Sequence, residues 1–460
     1  MQILIIGAGD IGFYLSKRLS QENHDITMIE GNPQTALRAS EQLDAFVLEG
    51  NGASYQLLKQ ANLAETEIVA AMTDSDEANL LACRLAKKAG VKTTIARVRH
   101  PQFTQPGFIL TPQEMGLDFI IHPEKETADS VLQLLRKSAA TYAIEFEEGR
   151  IELLGVRLEE TSPLLNIPLK YLGQETDDLH LRIVAINRDH HTIIPNGEDL
   201  LRKGDQVFVV ADHDYSSQFI SLAGRKERPI KDVMILGGGL ISRFIAQKLV
   251  RKVNIKIIER NLDRARQLAD ILPQSLIIHG DGTDFDLLEH EGLSEMDAFI
   301  SVTGNDEMNI IATLLAQQSG VGRSIALINK GGYLNIAHRV GLETVVSKQS
   351  ITVNAVERYI HQHQVASMAG LPGIGAQLIE YIASEGCQVS YKELKDIEFP
   401  ANATVGAVLQ GDELIVPHGD THIKPGDKVV VFALPQALGE LERLFENESS
   451  RRRISKLLPI

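Results

Sequence analysis

The first twelve residues decide the fold: Met1-Gln-Ile-Leu-Ile-Ile-Gly7-Ala-Gly9-Asp-Ile-Gly12 joins an apolar run to a glycine-rich segment, and an amphipathic stretch, Phe13–Gln21, follows. A G-x-G-x-x-G segment between a strand and a helix is typical of dinucleotide-binding domains. Gly7 permits the tight turn, Gly9 lets a pyrophosphate approach the backbone, and Gly12 allows the helix to pack on the strand. Backbone N–H groups at the helix start then face the ligand's negative charge.

A carboxylate closes the next apolar run. Glu30 ends the stretch from Ile26, 18 residues after Gly12. In dinucleotide-binding folds an acid at this position accepts hydrogen bonds from the ribose hydroxyls. NADP is disfavoured, because its extra phosphate would meet this carboxylate.

The whole pattern occurs twice in the chain. The second glycine segment is Gly237-Gly-Gly239-Leu-Ile-Ser242, and further matched positions lie 229 or 230 residues apart. These are Glu30 with Glu259, Gly50-Asn-Gly52 with Gly280-Asp-Gly282, and Thr73, Asp76 and Asn79 with Thr303, Asp306 and Asn309. The stretches that follow each copy also match, since residues 194–209 resemble residues 416–431 with a spacing of 222. Such constant spacing indicates a duplicated pair of units, in the order A-B-A′-B′.

Each A unit alternates short β-rich runs with helical runs, which indicates a parallel sheet with crossover helices. The first copy predicts strands at Gln2–Ile6, Asp25–Ile29, Ala45–Leu48, Ile68–Ala71, Thr93–Val98 and Phe119–Ile121, and helices at Phe13–Gln21 and Glu77–Lys88. Each B unit is shorter, with a Gly-Asp turn before an alternating strand, and predicts a small α+β module.

The predicted architecture is therefore α/β, with two Rossmann-like parallel-sheet domains, each followed by a small α+β domain. A charged, proline-ending break at 225–229 marks the midpoint. The predicted domains are 1–142, 143–228, 229–370 and 371–450, with a C-terminal tail at 451–460.

Small polar loops follow the fourth strand of each A unit, at 72–76 and 302–306. Ligands of open α/β sheets bind outside the carboxyl ends of the strands, so these loops can close over the adenosine. Asp76 and Asp306 are also suited to capping the next helix, a role that is compatible with contacting a ligand. Arg97, on the fifth strand, can reach a phosphate or stack on adenine. Its repeat partner is Leu327, which predicts two unequal sites.

No constellation for catalysis is evident. A dehydrogenase needs a general acid or base opposite the nicotinamide, but Asp189-His190-His191, His418 and His422 occupy no consistent position in the repeat. The sequence contains no P-loop, HExxH or GxSxG motif. It therefore predicts no enzyme and no metal site. A soluble NAD-dependent oxidoreductase with one degenerate unit, and a nucleotide-sensing scaffold or transcriptional partner, remain alternatives.

Composition narrows the setting. The 460 residues are 43% hydrophobic and 23% charged, with a formal net charge of −15. That balance argues against a nucleic-acid partner, because phosphate backbones attract basic surfaces. Two cysteines indicate no disulfide framework and hence a reducing compartment. Neither a secretory signal nor an apolar run of ~20 residues is apparent, so we expect a cytoplasmic protein whose membrane role would come through a partner.

These features together resemble the RCK (KTN) domains, and the tandem order resembles the TrkA family of regulatory subunits of bacterial Trk potassium-uptake systems. Ile95-Ala-Arg97-Val-Arg99 is also similar to that family's fifth-strand signature. The resemblance implies a non-enzymatic regulator on the cytoplasmic face of the inner membrane. It implies a homo-oligomer, as a ring, under a TrkH-like potassium-transporting subunit, with NAD(H), ATP or ADP in the Rossmann clefts changing the shape of the ring.

Residue by residue, the resemblance implies two nucleotide sites. The first comprises Gly7, Ala8, Gly9, Asp10, Ile11, Gly12, Glu30, Asn51, Thr73, Asp74 and Arg97. The second comprises Gly237, Gly238, Gly239, Leu240, Ile241, Glu259, Asp281, Thr303 and Gly304. The second copy departs from the pattern at Ser242 and Leu327, which leaves its nucleotide open.

Overall fold

The computed structural model divides into two compact units. Unit 1 contains residues 1–128, 328–331 and 347–359, and unit 2 contains 129–327, 332–346 and 360–460. The residues described are 1–22, 24–103, 105, 107–146, 149–176, 181–189, 191–361, 365–371, 375–411 and 413–445. The predicted tail at 451–460 lies outside them.

Unit 1 is built on a six-stranded parallel sheet of order β3-β2-β1-β4-β5-β6. Its strands are β1 (Gln2–Ile6), β2 (Asp25–Glu30), β3 (Phe46–Glu49), β4 (Ile68–Ala71), β5 (Thr93–Arg97) and β6 (Phe119–Ile121). Its helices are α1 (Asp10–Gln21), α2 (Pro33–Gln42), α3 (Tyr55–Gln60) and α4 (Asp76–Lys88), and α5 (Pro123–Arg136) begins here. All six predicted strands are present to within a residue at each end, and this order is that of a Rossmann fold.

The central strands of this sheet are apolar on both faces because helices cover both faces. Residues 3–6 of β1 and 68–71 of β4 are all buried. Strand ends at Ile6 and Ala71 therefore lead directly from the core into the loops at the carboxyl edge, where the predicted site residues lie.

Unit 2 begins with a small sheet of order β10-β9-β11-β8-β7, whose neighbours are antiparallel. Its elements are β7 (Tyr142–Phe146), β8 (Ile151–Arg157), α6 (Leu169–Thr176), β9 (Leu181–Arg188), β10 (His191–Ile193), β11 (Gln206–Asp212) and α7 (Ser216–Leu222).

A second parallel sheet follows, with the order β14-β13-β12-β15-β16-β17. Its strands are β12 (Asp232–Leu236), β13 (Asn254–Glu259), β14 (Leu276–His279), β15 (Ala298–Ser301), β16 (Arg323–Leu327) and β17 (Val345–Val346). Its helices are α8 (Leu240–Leu249), α9 (Leu262–Ile271), α10 (Phe285–His290), α11 (Asp306–Gln318) and α12 (Gly331–Arg339). The order repeats that of the first parallel sheet, which confirms the duplication.

The chain closes with helix α13 (Lys348–His361) and a second small sheet. That sheet is formed by β18 (Val365–Leu371), β19 (Ala376–Ile382), β20 (Ala403–Gln410), β21 (Glu413–Ile415) and β22 (Lys428–Ala433), and α14 (Leu438–Phe445) follows. The two small sheets share one apolar core. In this core, a Cβ on Gly406 of β20 would come within 2.9 Å of Val210, so the close approach of the two sheets favours glycine at this position.

Residues 348–359 of α13 belong to unit 1, although most of that unit is formed by residues 1–128. Arg18 of α1 forms an ion pair with the buried Glu357 at 2.9 Å, and Phe119 stacks on Tyr359 with ring centroids 4.5 Å apart. Among the described residues, no helix combines the length and the apolar character that a bilayer crossing requires.

Candidate nucleotide-binding clefts

The first glycine loop has the geometry that its sequence predicts. Gly7 lies at φ +96°, and its N–H donates to the Ile29 carbonyl at 2.8 Å. A Cβ on Gly12 would lie 1.9 Å from the Gly7 carbonyl oxygen, so only glycine fits this backbone. A Cβ on Gly9 would meet nothing within 4 Å, so the loop backbone there faces open space.

Glu30 lies at the end of β2 and is tied to this loop. Its Oε2 accepts from the Ala8 N–H at 2.5 Å and its Oε1 from the Asn32 N–H at 2.7 Å. Each carboxylate oxygen retains a further acceptor site, which a ribose hydroxyl could use. The acid therefore both holds the glycine loop in place and offers acceptors at its rim.

The loop after β4 is anchored by Asn79 of α4, which is fully buried. Asn79 Oδ1 accepts from Thr73 N–H at 3.0 Å and from its hydroxyl at 2.6 Å, while Nδ2 donates to the carbonyls of Thr73 at 3.0 Å and Arg97 at 2.9 Å. Thr73 in turn sits against Gly7, whose Cβ position is 3.0 Å from Thr73 Cγ2. Asn79 thus joins β5, this loop and the glycine loop, a role that the repeat spacing did not reveal.

Arg97 and Asp74 come together at this edge. Arg97 Nη1 donates to Asp74 Oδ1 at 2.9 Å; the arginine side chain is 8% exposed and the aspartate is 84% exposed. Asp76 accepts from the N–H groups of Arg99 at 2.9 Å and His100 at 2.8 Å. It thus fixes the segment after β5.

The predicted capping role of Asp76 and Asp306 is wrong, because the residue before each of them is the N-cap. The side chain that caps α4 is Ser75, which accepts from the Ala78 N–H at 3.1 Å. In the second copy the equivalent cap is Asn305, which accepts from the Met308 N–H at 2.7 Å. Ser75 and Asn305 cap these helices because their backbone is extended, as the N-cap position requires.

The remaining positions of the first site lie on the same edge. Asn51 is exposed in the turn after β3 and its Oδ1 accepts from the Ala53 N–H at 2.9 Å. Asp10 is exposed at the start of α1, whereas Ile11 is 4% exposed and packs into the core. Ile11 can therefore offer a ligand only its backbone.

The second cleft, in unit 2, repeats this construction. Gly237 lies at φ +100°, and Glu259 accepts from the N–H groups of Gly238 at 2.8 Å and Asn261 at 2.7 Å. Asn309 again anchors the loop at Thr303 and donates to the Leu327 carbonyl at 2.8 Å. Ser242, at the third glycine position, donates from its hydroxyl to the Gly237 carbonyl.

The two clefts differ in where their cations lie. Leu327 is buried and replaces Arg97, as the repeat indicated. Arg264 of α9, however, places Nη1 3.5 Å from Glu259 Oε2. Its counterpart at the same spacing is Thr35. Sequence reasoning missed this cation, although the alignment of the two copies contained the signal.

Other members of the second site lie at the same edge. Hydrogen bonds from Thr283, foremost that of its backbone N–H, lower the pKa of Asp281. Gly304 faces open space. Leu240 is half-buried and Ile241 is buried at the start of α8.

The comparisons with known proteins decide the family. The TrkA-N domain model matches residues 3–123 and 233–348, and the TrkA-C domain model matches 153–224 and 378–446. The chain belongs to the TrkA family.

Full-length relatives of this TrkA-family chain carry potassium-uptake names. It is 32% identical over 451 residues to the Trk system potassium uptake protein TrkA of Azorhizobium caulinodans, covering 97% of this chain and 98% of the relative. It is 33% identical over 459 residues to TrkA homolog 1 of Methanosarcina mazei, covering 97% of this chain and 100% of the relative. Among solved structures, the GsuK channel bound to NAD has the same fold, with a TM-score of 0.60, 18% identity, and coverage of 96% of this chain and 78% of that chain.

The histidines considered above as catalytic groups belong to the small domains, whereas His279 ends β14 and its Nε2 lies 3.1 Å from the Arg260 carbonyl oxygen, beside the second cleft. His191, His418 and His422 are exposed on the small domains, and His190 lies outside the described residues. Within the part of the chain that the structure describes, no group of three or more His, Cys, Asp or Glu side chains could hold a metal ion.

Proposed function

We propose that this chain is a nucleotide-binding regulatory subunit of a potassium transport system. The observation that carries the proposal is the strand-end glutamate hydrogen-bonded to a glycine loop, built once in each unit at Glu30 and Glu259. Family membership and the names of the relatives support the connection to potassium uptake.

The proposed ligand is NAD(H), with ATP or ADP as occupants of the same clefts. The pyrophosphate would pass over Gly9, where the backbone is open, and the ribose would reach Glu30. Thr73 and Asp74 would then lie on the adenosine side. NAD(H), ATP and ADP share the adenosine diphosphate that these groups contact, whereas the 2′-phosphate of NADP would meet the Glu30 carboxylate.

The proposed sites are those of the sequence prediction. The first uses residues 7–12, Glu30, Asn51, Thr73, Asp74 and Arg97, and the second uses residues 237–241, Glu259, Asp281, Thr303 and Gly304. We expect the two clefts to prefer different nucleotides. In the first cleft Arg97 lies at the carboxyl ends of β4 and β5, whereas in the second cleft Arg264 lies beside Glu259.

Regulation would follow from differential binding. A ligand shifts a conformational equilibrium only by its difference in affinity for the two states. A tenfold difference is worth about 1.4 kcal/mol per site, and several sites in a symmetric ring would add. In this proposal the nucleotide bridges the glycine loop and the loop at Thr73, which already touch. It thereby changes the contacts that the domain makes within the ring.

The ring is proposed to be a homo-oligomer on the cytoplasmic face of the inner membrane, where it contacts a TrkH-like potassium-transporting subunit. The chain itself would carry out no reaction on the nucleotide. A duplicated chain can form alternating contacts around a closed ring.

The test is isothermal titration of the full chain with NADH, NAD, ADP and ATP, using Glu30→Gln and Glu259→Gln. Hydrogen bonds to a charged group contribute about 1.5–3 kcal/mol, so each substitution should weaken its own site roughly 10- to 150-fold. Glu67→Gln is the matched control, because Glu67 precedes β4 at the opposite edge of the sheet and pairs only loosely with Lys92, at 3.7 Å. Unchanged affinity in both cleft variants would contradict the proposal.

Two further readouts separate the alternatives. Potassium uptake by cells carrying Glu30→Gln should change if the cleft regulates transport. Substrate-dependent oxidation of NADH would instead support an oxidoreductase. Co-purification from solubilised membranes should recover a channel-like partner, and recovery of soluble partners alone would support a scaffold.

A further inference from the structure

A cavity of about 360 Å³ lies at the amino-terminal edge of the second parallel sheet, opposite the glycine loop. It is bordered by the connecting segment at 225–230, by the loop before β15, and by Arg323 at the start of β16. All of these residues belong to unit 2. We call it the linker cavity.

Arg323 is the unusual member of its wall. It is 5% exposed, and its Nε and Nη2 atoms have no hydrogen-bond partner among the described residues. Burial lowers the pKa of Arg323 to about 10, which still leaves the guanidinium charged at neutral pH. A buried charge without a counter-ion is strongly unfavourable, so this position calls for an anion.

The charge of Glu343 partly offsets the effect of burial on the pKa of Arg323, but in the described part of the chain neither Glu343 nor another nearby carboxylate bonds to Nε or Nη2 of Arg323. Glu159 and Glu343 are both held by Arg225, at 2.8 Å and 3.0 Å. Asp297 accepts from two backbone N–H groups at the start of β12, at 2.7 and 3.0 Å. Glu295 is exposed. The acids of the wall therefore have partners or face solvent, and Arg323 keeps unpaired donors.

Further positive charge lines the same cavity. Lys226 and Arg228 are exposed, and Arg228 Nη1 is 3.9 Å from the Cβ position of Gly322, the neighbour of Arg323. Ser138 fixes the backbone of Arg228, accepting from its N–H at 3.0 Å and donating to its carbonyl at 3.1 Å. Three arginines, Arg225, Arg228 and Arg323, thus border one small space, and of these Arg225 is already paired with Glu159 and Glu343.

The first copy of the fold does without this arrangement. Thr93 stands at the position of Arg323, at the start of β5. The parallel sheet therefore forms without a buried arginine at this point, which argues that Arg323 serves something other than the fold.

We propose that the linker cavity binds a small phosphate-type oxyanion between Arg323 and Arg228. A guanidinium offers paired N–H donors that match phosphate oxygens. The volume admits inorganic phosphate or the phosphate group of a small ester. This site shares no residue with the nucleotide clefts. It lies at the segment 225–230, which joins a small domain to the second parallel-sheet domain.

The test is isothermal titration of the full chain at constant ionic strength with inorganic phosphate and, in a second arm, glycerol 3-phosphate. Tighter binding of the first indicates free phosphate as the occupant, and tighter binding of the second indicates a phosphorylated metabolite. Arg323→Met should weaken both at least tenfold. In phosphate-free buffer the variant should unfold at no lower urea concentration than the wild type, because it removes an unpaired buried charge.

Arg266→Met is the matched control, since Arg266 of α9 is 71% exposed and pairs with Asp263 within its own helix. Its phosphate affinity should equal that of the wild type. Arg228→Gln changes an exposed residue and decides the matter should Arg323→Met fail to fold; it should weaken phosphate binding several-fold. Neither variant alters a glycine loop. The proposal would be overturned if the wild type did not bind phosphate, or if the Arg323 and Arg228 variants bound phosphate as tightly as the wild type.

Discussion

Replacing Asn79 by Leu should destabilise unit 1 by about 2–4 kcal/mol, because the fully buried amide makes four hydrogen bonds to Thr73 and Arg97. A leucine of similar size leaves two backbone groups, the N–H of Thr73 and the carbonyl of Arg97, without the amide partner, while the Thr73 carbonyl still accepts from Arg97 Nη1 at 3.4 Å. Each unsatisfied buried group costs about 1–3 kcal/mol, and partial relaxation favours the lower part of that range. The Thr73 hydroxyl loses less, since it also lies 3.2 Å from the Ser75 carbonyl.

Urea unfolding followed by circular dichroism measures this loss. Leu81→Ala, on the same helix and 50% exposed in the wild type, should stay within about 0.5 kcal/mol of it. Asn309→Leu should produce a comparable loss in unit 2, where the same contacts recur. If Asn79→Leu unfolds like the Leu81→Ala control, the anchoring role of Asn79 is refuted.

Three further outcomes follow from the geometry. Gly12→Ser should lower the free energy of unfolding by about 1–3 kcal/mol, because its Cβ would lie 1.9 Å from the Gly7 carbonyl oxygen. Ser242→Gly should lower it by about 1 kcal/mol or less in the same urea assay. The Cys83 thiol is fully buried, which raises its pKa to about 12, so a thiol reagent should label it only after unfolding. Burial lowers the pKa of His122, so folding favours its neutral ring; stability should fall as pH drops below about 6.5, and His122→Gln should flatten that slope.

The repeat and the glycine segment were sufficient to predict the parallel sheets. Strand β1, the turn at Gly7 and the acid at Glu30 are local features, because each follows from apolar runs and from residues with restricted roles. Their repetition 230 residues later predicted the second sheet in the same way. Boundaries moved by at most a residue at strand ends, where hydrogen-bond patterns fray.

Contacts over long sequence separations could not be predicted. Arg225 belongs to a charged break that looks like an exposed connection, yet it pairs with Glu159 and Glu343, 66 and 118 residues away. The exchange of Arg97 for Leu327 was visible in the alignment. The contacts of Arg97 could not be predicted, because the direction of its side chain depends on how the loop after β4 is anchored.

The most direct measurement for the two clefts is NADH titration of the full chain with Gly9→Asp and Gly239→Asp. Both glycines have ordinary backbone angles, φ −63° and −79°, and an added Cβ meets nothing within 4 Å, so the variants should fold normally. The new carboxylate would stand where the pyrophosphate is expected. We predict that each variant loses its own site and that the double variant binds no NADH. Wild-type stoichiometry and affinity in the folded double variant would contradict the account.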